Sequence, residues 1–369
     1  MVIKINALDT LFFRDGKPFA RGEETWADGL FPPYPSVLYG ALRSAYFSEH
    51  PNELRLANRD GDPTRAFRIT NFYLTVDDHA FFPLPLDLVK KKGAKRDEML
   101  IPLSRKEIEG AVSSCRTPEL LYYEGDDPVE VVEDGLLADY ELINYLAGKT
   151  NDLVYQRISD YLTLEPKVGI GRDITTRTAE EGLLYRVGMQ RLSPRREICK
   201  TPQTLSLIVA FEGPEIAESG FLRLGGEGKG AVYEQTNEIS LSADKFALKN
   251  NRFKIVLITP AIFEKGWLPS WLDEDTLSGK KDNISLKLIA GAVGRFRSIG
   301  GFDMVNKCPK PMYRAVPAGS VYYFEVQDTT STVEETEAAL IETFHGKPIS
   351  DYEEMSAQGF GIAILGRLP

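Results

Sequence analysis

The chain opens with Val2, Ile3, Ile5, Ala7 and Leu8 spaced around Lys4 and Asn6, a pattern that predicts a first β-strand. An aromatic pair, Phe12-Phe13, and an Asp15-Gly16 turn signal follow at once, which predicts a hairpin over 11–19. Val37, Leu38, Ala41, Leu42, Ala45 and Tyr46 recur at the helical period, with Ser36 as the expected N-cap and His50-Pro51 as the stop. Further strands are predicted over 66–76, 79–84, 204–211 and 231–235, with an apolar helical stripe over 136–146. Beyond residue 249 the pattern starts afresh. Strand patterns at 252–259, 321–326 and 361–365 surround a helix opened by a capping box, Thr332 with Glu335, and closed by His345-Gly346. Strands interleaved with helices predict an α+β protein in two parts, 1–248 and 249–369. Periodicity alone does not separate a pair of ferredoxin-like units from other α+β folds.

Composition adds boundaries. A length of 369 residues suits two domains better than one. Hydrophobic content of 43% and charged content of 27% are those of an ordinary globular protein. No apolar run approaches the roughly 20 residues that cross a bilayer, and the start lacks the features of a signal peptide. Cys115, Cys199 and Cys308 are odd in number and far apart, which suits neither a disulfide framework nor a zinc motif. These features predict a cytoplasmic protein with free thiols, no bound metal and no cofactor.

Charge changes the picture. The net charge of −10 repels a polyanion at long range. The charges are segregated, however. From Lys287 to Arg314 there are six cations (Lys287, Arg295, Arg297, Lys307, Lys310, Arg314) against Asp303 alone, whereas 124–141 carries eight carboxylates and no cation. Residues 90–96 read as a mobile basic loop, either solvated charge or a nucleic-acid contact. Phe12, Phe13, Arg14 and Lys17 suit either base stacking with phosphate contacts or a hairpin whose aromatics enter the core. Gly225-Gly226-Glu227-Gly228-Lys229-Gly230 is no Walker A loop, because Arg223 stands where its first glycine belongs and Gly230 follows the lysine. Nor is it a Rossmann turn, since a strand pattern follows it. Its glycines permit backbone amides to face an anion beside Lys229; the alternative is a plain flexible turn.

Catalytic material is sparse. His50, His79 and His345 lie far apart, and only His79, with Tyr73 and Arg68 nearby in sequence, offers groups that move protons in RNA cleavage. The run Val321–Val326 is aromatic on both faces, with Trp267 and Trp271 upstream. One core can absorb this set, or part of it can form a protein interface.

Several segments together resemble one family. They are 11–19, the helix 35–43 that includes Arg43, Gly169–Asp173 with 178–186, the glycine-rich loop, 310–325 and Gly359-Phe360-Gly361. The chain resembles the third subunit of the Cmr complex, a type III-B CRISPR effector, within the RAMP superfamily of RNA-binding proteins. The resemblance implies two ferredoxin-like, RRM-related units with a glycine-rich loop and a hairpin insertion. It also implies a non-catalytic scaffold that holds the 5′ handle of the CRISPR RNA. Such a scaffold joins the large polymerase-like subunit to the backbone RAMP subunits and meets target RNA only indirectly. Carried over by position, Phe13, Arg14 and Lys17 lie near the handle. Gly226, Gly228 and Lys229 line its backbone, and Arg172, Arg177 and Arg186 belong to a thumb-like hairpin. Arg43, Arg295, Arg297 and Lys310 are further candidate RNA contacts, and Trp267 and Trp271, large aromatics on a Pro- and Gly-punctuated segment, are the candidates to pack against the large subunit. The alternative within the superfamily is an RNA endonuclease that processes repeat RNA.

Overall fold

Strands that are apolar at nearly every position need cover on both faces, and this chain has several, among them Leu205–Glu212, Arg252–Leu257, Val321–Val326 and Ile362–Gly366. In the computed structural model they meet that need by stacking two sheets. The structure describes residues 1–14, 26–27, 29–77, 79–93, 99–107, 116–193, 204–303, 307–328 and 331–369, with the backbone alone for 26–27 and 180–185. The protein is mixed α/β, mostly strand, with four α-helices among the described residues: α1 (Pro35–Glu49), α2 (Asp139–Leu146), α3 (Val333–Phe344) and α4 (Glu353–Ala357).

The first sheet runs Gln156–Arg157, Gly135–Ala138, His79–Pro83, Arg68–Val76, Leu205–Glu212, Val2–Ala7, Gly230–Gln235, Ser219–Arg223. At its centre Val2–Ala7 pairs antiparallel with both Leu205–Glu212 and Gly230–Gln235. The crossover α1 returns the chain to Arg68–Val76, one strand away, in a split β-α-β arrangement. The second sheet runs Ser278–Lys281, Ile284–Ala292, Val321–Val326, Arg252–Leu257, Ile362–Gly366, Lys347–Pro348, again antiparallel. Here the segment between Arg252–Leu257 and Ile284–Ala292 has no α-helix, and α3 lies between Val321–Val326 and Ile362–Gly366.

Alternation along each strand divides the core into layers. Ile3, Ile5, Leu74, Leu207 and Val209 point toward Leu38, Leu42 and Ala45 of α1. Tyr73, Phe82 and Ile208 point the other way and meet Val256, Val321, Tyr323 and Ile364 of the second sheet. The outer face of the second sheet, with Phe253, Ile255, Tyr322 and Phe324, packs against Leu340 and Phe344 of α3. The same outer face carries the half-buried Trp267 and Trp271. Trp267 stacks nearly parallel to Tyr322 at 6.5 Å, and Trp271 lies 5.5 Å from Phe324 and 6.1 Å from Phe344. The aromatic run 321–324 is therefore consumed on both faces by the chain's own core.

One buried polar group sits between the sheets. Tyr145 and Tyr323 both donate their hydroxyls to the carboxylate of Asp87, at 2.7 and 2.5 Å. The Lys254 ammonium lies 3.2 Å from the centre of the Tyr145 ring, and the Arg105 guanidinium covers Tyr323 at 4.8 Å. Burial pushes Lys254 down to about 8, while the Asp87 charge pulls it back up.

Three expectations need correction. Ser36 is not the cap of α1: Tyr34 holds that place without a side-chain bond, because Pro35 already has the φ required at the first helical position. Residues 136–138 belong to a strand, and α2 starts only at Asp139; the apolar stripe runs on because both elements face the inter-sheet core. Lys90 and Lys91 are not part of a mobile loop. They lie in the strand Leu88–Lys91, which pairs with Val129–Glu130. Lys90 bonds Glu130 at 2.5 Å and Lys91 bonds Asp127 at 2.7 Å, so part of the acidic segment neutralises this strand. Lys95 and Arg96 lie outside the described residues, as do the Asp15-Gly16 turn, Cys115 and Cys199.

Removing Asp87 leaves two tyrosine hydroxyls and a buried ammonium without their anion. Asp87→Ala should cost about 3–5 kcal/mol, measured as a lowered urea midpoint; an unchanged midpoint would show that the cluster is not a stabilising centre. Lys254 releases its proton near pH 8 in the fold, against 10.5 as its ordinary value. Between these values the unfolded chain binds more protons, so the Lys254 contribution raises stability as pH rises. Lys254→Met should flatten that rise in denaturation curves taken from pH 7.5 to 10.5.

Candidate nucleic-acid interface

Three segments distant in sequence converge beside the first sheet. The chain after the first strand, 9–14, passes between the glycine-rich loop and a long hairpin formed by Leu162–Arg172 and Ala179–Leu192. Leu11 exchanges backbone hydrogen bonds with Gln190 at 2.7 and 2.8 Å, and the Gly226 amide donates to the Phe12 carbonyl at 2.8 Å. The loop can come this close only because Gly225 lacks a side chain: a Cβ there would stand 2.5 Å from the Phe12 carbonyl oxygen, and its φ is +79°.

An ion-pair network ties the three segments together. Asp9 accepts from Lys229 at 2.8 Å and from Arg191 at 3.1 Å. Arg191 also pairs with Glu165 across the hairpin, and Lys167 donates to Glu227 of the loop at 2.6 Å. The bonded Lys229 ammonium, with help from the Thr10 amide, holds the Asp9 carboxyl down at about 2. The three cations and three carboxylates of this network balance one another.

The expected site residues divide into groups. Phe13 is 2% exposed and belongs to the core around α1, with its ring 6.2 Å from Phe31. Phe12 is 7% exposed and packs on Val187 and Met189 of the hairpin. Both aromatics are therefore positioning residues in this structure and present no face to a base. Arg14 is exposed and pairs through its backbone with Gly29. Lys17 lies outside the described residues. The amides of Gly226 and Lys229 are spent inside the chain, on Phe12 and Gly226. The loop is thus not an open cradle of amides at those two positions.

Arg43 needs a correction. Its guanidinium bonds Thr64 at 2.7 Å, Asn58 at 2.9 Å and the buried Asp62 at 2.7 Å. Burial pushes Asp62 up, but hydrogen bonds from Thr64 and Asn58 and the Arg43 charge outweigh it and hold the carboxyl below its usual range. Arg43 anchors α1 to the turn before Arg68–Val76.

Arg172, Arg177 and Arg186 are exposed on the long hairpin, the first two near its tip, where the Arg172 Nε donates to the Arg177 carbonyl. Arg295, Arg297 and Lys310 are also exposed, on an arm of the second half, apart from the junction. Sequence reading missed Asp9, Glu165 and Arg191. Their pairing depends on cross-strand register and on the approach of 9–14, and neither leaves a local sequence signal.

The three histidines occupy separate places. His345 is part-buried, with Nε2 against the Leu241 carbonyl and Nδ1 accepting from the Leu365 amide, and burial lowers its pKa. His50 stacks on Tyr46 at 4.3 Å, and His79 sits edge-on to Tyr140 at 6.1 Å. The Tyr73 hydroxyl is taken by the Ile239 amide, and Arg68 donates to the Arg65 and Phe67 carbonyls. Among the described residues no group of three or more His, Cys, Asp or Glu is placed to hold a metal ion, and no helix is long and apolar enough to cross a membrane.

The geometry is thus a split β-α-β sheet stacked on a second antiparallel sheet, with a long hairpin braced on a glycine-rich loop. The family model Cas_Cmr3, of CRISPR-associated proteins, matches residues 3–368, so the chain belongs to that family. No curated protein matches the sequence. Among solved structures, a chain of the type III-B Cmr-beta complex bound to cognate target RNA and AMPPnP is similar at 17% identity. The match covers 88% of this chain and 86% of that one, with a TM-score of 0.51, and it shows a shared fold. A chain of the same complex bound to cognate target RNA gives 17% identity, coverage of 93% and 94%, and a TM-score of 0.49. A chain of the Csm3–Csm4 subcomplex of a type III-A interference complex gives 11% identity and 0.34, over 88% and 92%.

The Asp9 network should respond to acid with a definite sign. Its carboxylate lies below its ordinary value of 3.8, so its contribution is complete at neutral pH and is lost as pH falls from 3.8 toward 2. Asp9→Asn should lower the urea midpoint at pH 7 and match the wild type near pH 2. Equal midpoints at pH 7 would mean that solvent screening cancels the network.

Proposed function

We propose that this protein is a non-catalytic, RNA-binding structural subunit of a type III-B CRISPR effector. In this reading it is built on two ferredoxin-like units and holds the 5′ handle of the CRISPR RNA. It joins the large polymerase-like subunit to the backbone RAMP subunits. The observation that carries the reading is the family match across residues 3–368. The geometry supports it in detail: a glycine-rich loop and a long hairpin bearing exposed Arg172, Arg177 and Arg186 are locked together by the segment 9–14. Three histidines engaged in separate local contacts support a scaffold over the endonuclease alternative. In this reading the charge-balanced network orients the hairpin, and the arginines beyond it meet phosphates.

The test is reconstitution of the effector complex with CRISPR RNA. Gly228 has a φ of +64°, and a Cβ at Gly226 would press on the Phe12 ring at 3.2 Å, so valine at both positions displaces the loop. Gly226→Val with Gly228→Val should reduce retained CRISPR RNA by about tenfold, or about 1.4 kcal/mol, with the subunits still assembled. Retention at the wild-type level would return the loop to a plain turn. Site-specific cleavage of repeat RNA by the purified chain, lost in His79→Ala, would overturn the scaffold reading.

A further inference from the structure

The arm of the second half carries a feature that the core leaves unused. Two short ribbons, Arg297–Ile299 with Tyr313–Ala315 and Phe302–Asp303 with Cys308–Pro309, stand out from the second sheet. Phe296 is 56% exposed and Phe302 54% exposed, a large apolar area to leave in water. The Arg314 guanidinium lies over the Phe296 ring at 4.9 Å. Arg295, Arg297, Lys307 and Lys310 are exposed around them, and Asp303 is the one carboxylate between 287 and 314. In a chain of net charge −10, this is a local excess of cations gathered about exposed rings.

A stacked guanidinium and phenyl ring make a flat, polarisable surface with a positive margin. That combination fits a nucleobase with its phosphates, because every base has a face to stack and every nucleotide an anion to pair. A protein partner with an acidic apolar face is the competing occupant. The cation excess favours the polyanion, whose charge is carried at every residue. Arg297, on the same ribbon, also lines a cavity of about 340 Å³ whose walls include Phe31, Tyr34, Phe72 and Phe81, with Glu133 and Asp134 among its polar groups. The strand on which a base would stack thus borders an apolar recess that can receive a neighbouring one.

Resting on the RNA-binding reading above, we infer that Phe296 and Arg314 form a base-stacking platform for single-stranded RNA, separate from the loop–hairpin junction. The experiment uses the assembled complex with CRISPR RNA carrying 5-iodouridine at successive positions, irradiated and mapped by mass spectrometry. The expected result is a crosslink within 294–315 that Phe296→Ala abolishes and Phe296→Trp keeps. The Phe296→Ala complex should hold RNA roughly 5- to 150-fold more weakly, the loss of one base–ring stack. If the complex holds RNA at wild-type affinity in Phe296→Ala, with crosslinks only elsewhere, the platform is refuted and the RNA-binding reading stands. If Phe296→Ala or Arg314→Met sheds a protein subunit while the RNA stays, the arm docks protein and the inference fails. A wild-type complex in which this subunit crosslinks to RNA at no position overturns both readings together.

Discussion

The stacking of one sheet on the other is the constraint from which the rest follows. Strands covered on both faces leave little room for polar side chains, so Leu205–Glu212, Val321–Val326 and Ile362–Gly366 read as mostly apolar runs. Within the inter-sheet layer, the hydroxyls of Tyr145 and Tyr323 hold the Asp87 carboxylate and the Lys254 ammonium lies on the Tyr145 ring. A buried charge group of this kind has few alternatives to its native partners, which fixes the relative position of the strands Arg252–Leu257 and Val321–Val326 against α2. Both sheets contribute to this layer, while each half also has a core of its own on its outer face.

The outer layers show how different means solve one problem. The first sheet keeps a crossover helix, α1, over its outer face. The second is covered by α3 and by a non-helical segment whose tryptophans lie flat on Tyr322 and beside Phe324. Trp267 and Trp271 looked like interface residues in the sequence because they sit on a segment without periodic pattern. The fold uses them in place of a helix, since two indoles cover the area that a helix would otherwise shield.

Much of this was legible in the sequence. The first strand, α1, the strands from 68 to 83, the strand Leu205–Glu212 and the capped helix α3 follow from local pattern, and the capping box at Thr332 and Glu335 is formed as its spacing implies. The errors came where one apolar run serves two elements, as at 136–146, or where a proline replaced the expected cap, as at Pro35. Opposite charges far apart in sequence were the harder case. Lys90 with Glu130, Arg43 with Asp62 and Lys229 with Asp9 leave no local signal of their pairing, which the fold alone brings about. For the candidate site, the sequence marked the loop, the hairpin and the arginines. It could not show that Phe12 and Phe13 turn inward, because exposure of an aromatic depends on which neighbours arrive.

The pairing of Lys229 with Asp9 has a consequence for how this surface meets a polyanion. A solvated lysine near nucleic acid gains from the release of small ions condensed on the phosphates, and that gain shrinks as salt rises. Lys229 already has an anion bound, and that anion is covalently part of the chain. A phosphate arriving there exchanges with a carboxylate that cannot diffuse away, and the displaced Asp9 stays nearby to repel it. On the RNA-binding role proposed above, the ammonium would act as a latch with its counterion built in, selective for ligands that fit well enough to win the exchange.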